Sequence, residues 1–290
     1  MTWSERVVTR DGVRLVCRDW GGAGEPVVLL HGLAGHAGEW DATARLLSPR
    51  WRVVAVDQRG HGGSDRRPPD VSRAAYTADV RAVVDRLGLR RPVLVGQSLG
   101  GHTAMLTAAA HPGLTRALVL VEASPGEAKP DAPAVIGRWL DSWPVPFASR
   151  EAAVRFLGGG PVGEGWASGL EERDGGWWPR FDREVMVRSL AENATRSFRE
   201  EWLRVECPTL VVMAQDGFIA PAEADAMLRE GPVTTAVCVP GTGHDLHLEQ
   251  PGILHTLLSE FLGGLGRPGR RPGCDAGAGR PDPSSVPGRA

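Results

Sequence analysis

The sequence predicts an α/β fold in which helices flank a mostly parallel central sheet and a helical cap interrupts the core. Short apolar runs alternate with helical patterns, as is typical of βαβ units. These runs stop after Ala123 and resume at Pro208. We therefore predict a core over 1–123 and 207–262, a helical cap over 124–206 and a disordered tail over 263–290. The tail consists mainly of Gly, Pro, Arg and Ser, which is too polar to pack.

The predicted elements of the core follow one another in a regular order. The chain opens with a hairpin that turns at Asp11-Gly12, a strong turn signal. Buried strands are then predicted at 26–30, 52–56, 93–95, 116–121, 208–213 and 233–239. Helices are predicted near 39–47, from a cap at Ser72 or Thr77 to Leu87, and near 99–110, 222–229 and 253–262. Polar residues follow several of these strands, and the carboxyl ends of parallel strands are where ligands bind in such sheets.

Composition and charge are those of an ordinary soluble protein. Of the 290 residues, 42% are hydrophobic and 23% charged, and the net charge of −2 gives no indication of nucleic acid or an anionic membrane as partner. No apolar run reaches the roughly 18 residues of a membrane helix, and no secretory signal is visible. We expect a cytoplasmic protein that acts on a small molecule. The four scattered cysteines lack metal-binding spacing, and we expect neither a metal nor another cofactor. The oligomeric state is not indicated.

Ser98 lies in the most informative stretch, Gly96-Gln-Ser-Leu-Gly100, between a predicted strand and a predicted helix. The pattern G-x-S-x-G in this context is typical of a nucleophile elbow, a tight turn that lifts a serine hydroxyl out of the sheet. Gly96 and Gly100 lack the Cβ atoms that would collide in such a turn. The following helix begins at the serine, so its N-terminus favours negative charge that develops there.

A serine nucleophile needs a base, and the base needs an acid that orients it. His244 follows the last strand in the loop Gly241-Thr-Gly-His244 and is the predicted base, with His247 as the alternative. Asp216 follows the strand at 208–213 and is the predicted acid, with Glu122, which follows the preceding strand, as the alternative. The order serine, acid, histidine is one of several known for such triads.

Asp57, His102 and His31 are predicted to have roles outside the triad. Asp57 also ends a strand, but its surroundings predict a structural turn with Arg59 as ion-pair partner. His102 is expected to point away from Ser98 along the following helix. The backbone N–H groups of Leu33 and Leu99 are the predicted oxyanion hole. The predicted substrate pocket contains His31, Trp139, Trp143, Trp178 and Phe218.

Taken together, these motifs resemble the α/β-hydrolase superfamily, in its cap-bearing esterase- and lactonase-like branch. The resemblance rests on His31-Gly32, the stretch 57–64, the elbow at 96–101, Asp216, and the stretch from Gly241 to Pro251. It implies the α/β-hydrolase fold from about residue 10 to 262, apart from most of the cap. Relatives that are epoxide hydrolases or dehalogenases carry aspartate at the elbow, and Ser98 argues against both activities.

These residues lead to a first hypothesis and two rivals. The first is a serine hydrolase that cleaves a carboxylic ester, lactone or thioester of a small, partly apolar molecule through an acyl-enzyme. One rival is a carbon–carbon bond hydrolase or cyclase that uses the same triad for acid–base chemistry. The other is a non-enzymatic ligand-binding protein. The sequence leaves the substrate open, because the cap that would select it carries no recognisable motif.

Overall fold

The computed structural model describes residues 2–265, and its centre is an eight-stranded sheet. The strands are numbered along the chain: β1 (Ser4–Arg10), β2 (Val13–Asp19), β3 (Pro26–Leu30), β4 (Arg52–Asp57), β5 (Val93–Gln97), β6 (Ala117–Val121), β7 (Glu171–Arg173), β8 (Gly176–Trp178), β9 (Thr209–Asp216) and β10 (Val233–Gly243). The sheet has the order β1-β2-β4-β3-β5-β6-β9-β10, and β7 and β8 pair separately. Strands β1 and β2 pair antiparallel with their neighbours and the rest of the sheet is parallel.

The middle strands are buried on both faces. Every residue of β5 and of β6 is buried, and Val93 pairs in register with Val27 on one side and Ala117 on the other. Continuous Val and Leu runs are what a parallel sheet covered on both faces requires. At the first hairpin, Asp11 and Gly12 both have positive φ, 48° and 77°, as the Asp-Gly signal predicts for a tight two-residue turn.

Helices cover both faces of the sheet and form the cap. They are α1 (Asp41–Leu47), α2 (Arg73–Arg86), α3 (Leu99–Ala110), α4 (Ala132–Asp141), α5 (Arg150–Phe156), α6 (Gly160–Ala167), α7 (Arg183–Arg188), α8 (Ala191–Thr195), α9 (Arg199–Leu203), α10 (Pro221–Glu230), α11 (Leu246–Glu249) and α12 (Pro251–Gly264). Apolar side chains of α2, α3, α9 and α10 pack on one face, and those of α1, α11 and α12 on the other. Among residues 2–265 no helix is long and apolar enough to cross a membrane.

The cap differs from the prediction in two places. It contains the short hairpin β7–β8, whereas helical fragments alone were expected; the turn Asp174-Gly175, with φ of 51° and 75°, closes it. At its C-terminal end, Phe198 and Trp202 pack into the sheet core beside α3 and α10 instead of into the cap's own apolar cluster. Phe198 and Trp202 thus contribute to the sheet core, although both lie within the segment predicted as the cap.

The predicted C-terminal tail can be compared with the structure only as far as residue 265. Gly263 and Gly264 are the last residues of α12, so the closing helix runs two residues beyond the predicted end at Leu262. Residues 266–290, which make up most of the predicted tail, lie outside the described residues.

Candidate active site

The turn at Ser98 has the strained geometry that the G-x-S-x-G pattern predicts. Ser98 has φ 50° and ψ −120°, a left-handed conformation for a residue with a side chain. Neighbouring glycines are required, because a Cβ on Gly96 would lie 2.3 Å from the Gly100 carbonyl carbon, and a Cβ on Gly100 2.3 Å from the Leu30 carbonyl oxygen. The Ser98 N–H donates to Val121 O (3.1 Å), and its own carbonyl accepts from His102 N at the start of α3. Sheet and helix thus hold the turn from both sides.

His244 lines the same cavity as Ser98, and two contacts hold its ring. Its Nδ1 lies 3.4 Å from Oε2 of Glu122, and the Phe218 ring stacks on its face at 4.2 Å between centroids. Its carbonyl oxygen accepts from Nε2 of Gln97 (3.1 Å), which ties the histidine loop to the elbow. Among residues 2–265 the Ser98 hydroxyl forms no hydrogen bond, and catalytic contacts of this kind often tighten only when substrate binds.

The predicted partner of His244 was Asp216, and here the structure corrects the sequence interpretation. Asp216 ends β9 with its side chain exposed to solvent, whereas the buried carboxylate of Glu122 contacts the imidazole. The alternative residue at the end of β6 therefore takes this position. The physical reason is the direction of the side chains: Glu122 is buried and faces the imidazole, whereas Asp216, although its strand is the neighbour of β10, is exposed to solvent.

Glu122 is held as a carboxylate by a small cage. Its Oε1 accepts from Ala214 N (2.7 Å) and its Oε2 from Phe218 N (2.9 Å). Burial favours the neutral acid, but the contacts with His244 and these two N–H groups outweigh it and hold the pKa of Glu122 below its usual range. Gly217 completes the cage, since a Cβ there would lie 2.2 Å from Oε2 of Glu122. The Asp-Gly signal thus marks a loop that wraps the carboxylate.

The predicted oxyanion donors, Leu33 and Leu99, both lie at this cavity. Leu99 is the first residue of α3, where backbone N–H groups lack partners within the helix. Leu33 follows Gly32, whose missing side chain allows the loop to approach the elbow: a Cβ there would lie 2.3 Å from Oε1 of Gln97, the residue before Ser98. In the described part of the chain neither N–H has a hydrogen-bond partner.

The cavity has a volume of about 600 Å³ and lies between the sheet and the cap. Its wall is mostly apolar, with Val135, Ile136 and Trp139 from α4 and Phe218 and Ile219 from the β9–α10 loop. Trp139 and Phe218 were predicted for the pocket. Trp166, which donates to Asp245 (3.1 Å), also lines it and was not singled out, because no sequence signal distinguishes it from the other cap tryptophans.

Three predicted pocket residues lie elsewhere. His31 is completely buried, with Nδ1 2.7 Å from Gly32 O and Nε2 accepting from Gln58 N, so it supports the loop instead of facing the cavity. Trp143 packs within the aromatic cluster of the cap. Trp143 and Trp178 line a neighbouring cavity of about 730 Å³ rimmed by Arg66, Arg67, Arg173 and Arg183.

Other histidines and Asp57 have structural partners. His247, the alternative base, is buried with its Nε2 3.4 Å from Glu39 Oε2. Asp57 accepts from Ala37 N and Gly63 N, which makes it the structural turn residue expected, but Arg59 pairs with Asp79 (2.5 Å) and not with Asp57.

Two further cavity residues were missed by the sequence interpretation. His102 lines the cavity wall, although it was expected to point elsewhere, and Asn193 of α8 lies beside it. Within residues 2–265 no cluster of His, Cys, Asp and Glu side chains could hold a metal ion.

A protein-family model described as the alpha/beta hydrolase family matches residues 27–254, so the chain belongs to that family and the predicted fold class is confirmed. The chain is 30% identical over 278 residues to the non-heme chloroperoxidase of Streptomyces lividans, covering 88% of this chain and 98% of that protein. It is 26% identical over 252 residues to the 2-(acetamidomethylene)succinate hydrolase of Mesorhizobium japonicum, covering 83% and 89%.

Solved structures agree on the architecture. A crystal structure of E-2-(acetamidomethylene)succinate hydrolase superposes with a TM-score of 0.82 at 24% identity, over 90% of this chain and 99% of that one. At this identity the likeness is one of fold.

Proposed function

We propose that this protein is a serine hydrolase that cleaves an ester-like bond of a small, partly apolar molecule, with Ser98, His244 and Glu122 as its triad. The observation that carries the proposal is the buried Glu122 carboxylate against Nδ1 of His244, in the cavity that also contains Ser98. A histidine whose Nδ1–H is held by a carboxylate presents its unprotonated Nε2 as a base. The carboxylate also stabilises the imidazolium that forms during the reaction.

In the proposed mechanism, Ser98 Oγ attacks the substrate carbonyl carbon while His244 takes the hydroxyl proton. The N–H groups of Leu33 and Leu99 stabilise the oxyanion. As the bond to the leaving group breaks, His244 returns the proton to that group. Water then attacks the acyl-enzyme, with His244 again as base, and releases the acid and Ser98. Phe218 excludes water from one face of the imidazole.

Substrate size and polarity follow from the cavity. A volume of about 600 Å³ suits a small molecule, and pockets of this kind bury most of the ligand's surface. One relative is named as a hydrolase of an acetamidomethylene succinate, and that name is compatible with acyl chemistry at a serine. It supports hydrolysis as the reaction class and leaves the substrate open.

The test is labelling with a fluorophosphonate probe together with turnover of a panel of p-nitrophenyl esters, thioesters and lactones. The expected result is a single label on Ser98, and loss of both label and turnover in Ser98→Ala. Ester turnover that survives in Ser98→Ala would overturn the proposal. Turnover of a β-diketone without any labelling would instead favour the carbon–carbon bond hydrolase.

A further inference from the structure

One part of the cavity wall is polar, although most of the lining is apolar. His102 lies one helical turn after Ser98 on α3 and is 5% exposed, with the Phe198 ring edge-on at 4.4 Å. Asn193 reaches the same place from α8 of the cap, and its Nδ2 lies 3.5 Å from Nε2 of His102. Both side chains line the cavity that contains Ser98 and His244.

A buried arginine lies directly behind this pair. Arg73 of α2 is 2% exposed, its Nη2 donates to Thr103 Oγ1 (3.2 Å), and its guanidinium lies over the Tyr76 ring. In the described part of the chain its guanidinium has no ion-pair partner; the carboxylate of Glu192 accepts the Arg73 backbone N–H instead. Burial lowers the pKa of Arg73 to about 10, so the group is still charged at neutral pH. A buried charge without a directly paired counterion is costly, and the charge of Glu192, which raises the pKa of Arg73, compensates for burial only in part.

Four buried polar atoms of this cluster lack a hydrogen-bond partner among residues 2–265: His102 Nδ1, Asn193 Oδ1, Arg73 Nε and Arg73 Nη1. Burial, and then the charges of Arg73 and Arg196, lower the pKa of His102 well below its usual range, so its ring is neutral. When the Asn193 amide donates to His102 Nε2, the atoms without partners are three donors and one acceptor. The donors are His102 Nδ1 and the Nε and Nη1 atoms of Arg73, and the acceptor is Asn193 Oδ1. If the amide is turned over, Asn193 Nδ2 replaces His102 Nδ1 as a donor and the balance is the same.

Arg73 does not line the cavity, so its two donors without partners do not contact a ligand there, but its charge acts on His102 and favours an anion beside His102 and Asn193. We propose that His102 and Asn193, backed by the charge of Arg73, recognise a carboxylate on the acyl part of the substrate. The acyl part is assigned because His102 lies on the helix that begins at Ser98, whereas the leaving group must lie beside His244, which protonates it. The carboxylates that line the same cavity have other partners or face solvent: Glu122 contacts His244, Asp245 accepts from Trp166, and Glu127 is exposed.

This inference rests on the proposed hydrolysis at Ser98, and the first test uses that reaction. Two p-nitrophenyl esters are compared: the monoester of adipic acid and the 6-methylheptanoate, in which an isopropyl group replaces the carboxylate. Four methylene groups separate the carboxylate from the ester, about the length of one helical turn, 5.4 Å. Because a hydrogen bond to a charged group is worth about ten- to hundredfold in affinity, kcat/KM of the adipate ester should exceed that of the apolar ester at least tenfold.

The variants Asn193→Leu and His102→Leu should each reduce this ratio about tenfold or more, mainly through KM of the adipate ester. Ile136→Leu, on the apolar part of the same wall, should change both substrates alike and leave the ratio unaltered. A wild-type ratio of one or below, or a ratio that Asn193→Leu does not change, would overturn the inference. Thermal melting of each variant excludes loss of fold as the cause.

A binding measurement separates the two proposals. Monomethyl adipate is titrated calorimetrically into Ser98→Ala, with dimethyl adipate as the uncharged control. We expect the monoanion to bind at least tenfold more tightly than the diester, and Asn193→Leu in the same background to remove the difference. Binding of the monoanion by a protein that hydrolyses no ester would leave the inference standing and the hydrolase proposal refuted. Equal binding of both compounds, together with normal ester turnover, would refute the inference and leave the hydrolase proposal standing.

Discussion

The carboxylate of Glu122 lies 3.4 Å from Nδ1 of His244 and also accepts the backbone N–H groups of Ala214 in β9 and Phe218 in the loop that follows β9. Both of its oxygens therefore face donors. A carboxamide in its place must turn its own NH₂ group toward one of those donors. Replacing one carboxylate oxygen of Glu122 by an NH₂ group should therefore disturb the site. The side chain of Asp216 is exposed at the end of β9 and is not constrained in this way.

Glu122→Gln should reduce kcat for ester hydrolysis about 10³- to 10⁴-fold, the range expected when the acid of such a triad loses its charge. Asp216→Asn is the matched control, and it should stay within about twofold of wild type because the Asp216 side chain is exposed. Steady-state kinetics on one p-nitrophenyl ester measure both. If the losses were exchanged between the two variants, Asp216 and not Glu122 would be the acid.

Gly217→Ala should lower kcat without unfolding the protein. The added Cβ would lie 2.2 Å from Oε2 of Glu122, so the carboxylate must move away from His244. We expect a loss of about tenfold or more, with little change in Tm. The control is Gly252→Ala at the start of α12, where a Cβ meets nothing within 4 Å. Full activity in Gly217→Ala would show that the carboxylate has room that the structure does not indicate.

Acid should destabilise the fold through its buried neutral histidines, and His61 is the clearest case. Its Nδ1 lies 2.9 Å from Arg59 O and its Nε2 accepts from Ala34 N, an arrangement suited to a neutral ring. Burial lowers the pKa of His61 to about 4. Between about pH 6.5 and 4 the unfolded chain binds a proton that the folded protein does not. Stability from this group is therefore complete above pH 6.5 and falls by about 1.4 kcal/mol per pH unit below it.

The measurement is the free energy of unfolding in urea at pH 6.5 and pH 5, in wild type and His61→Gln. Wild type should lose about 2 kcal/mol more than the variant over this interval, whatever the variant's stability at pH 6.5. Equal losses in the two proteins would mean that His61 is protonated in the folded state. Because Ala34 adjoins Leu33, protonation of His61 should also weaken the loop that carries one proposed oxyanion donor.

Trp202→Ala should destabilise the protein by about 3–5 kcal/mol, the usual cost of removing a large aromatic side chain from a core. Trp202 is fully buried and its Nε1 donates to Met227 O (3.1 Å). Trp139→Ala in the cap is the comparison: Trp139 is 38% exposed, so its loss should cost less than about 2 kcal/mol. Chemical denaturation gives both values. Similar costs would mean that the two tryptophans are in equivalent environments, which would contradict the packing of Trp202 in the sheet core.

The core was predictable because its signals are local. Each buried strand is a short apolar run bounded by turn residues, and the Ser98 elbow is specified by glycines within two positions of it. Leu99 directly follows Ser98 along the chain, so its position at the cavity follows from the elbow. Such features need no knowledge of which strands are neighbours.

The choice between Asp216 and Glu122 was not predictable in this way. Both residues follow strands, and the difference between them is where a side chain points after the strand ends. Glu122 has φ 47°, a left-handed backbone conformation that no sequence signal predicts. The cap was harder still, because Trp139, Trp143 and Trp178 have similar sequence surroundings and only tertiary packing decides which of them meets the cavity.

Lys129 is the only lysine in this chain, and the other 32 of its 33 basic residues are arginine. It is exposed and lines the mouth of the cavity that contains Ser98. Reagents that modify amines but not guanidinium groups therefore have a single side-chain target, apart from the terminal amine. A fluorophore or a surface attached through Lys129 would sit at the entrance used by the substrate. The unmodified protein thus already has a site-specific handle for reporting occupancy of the cavity or for blocking it.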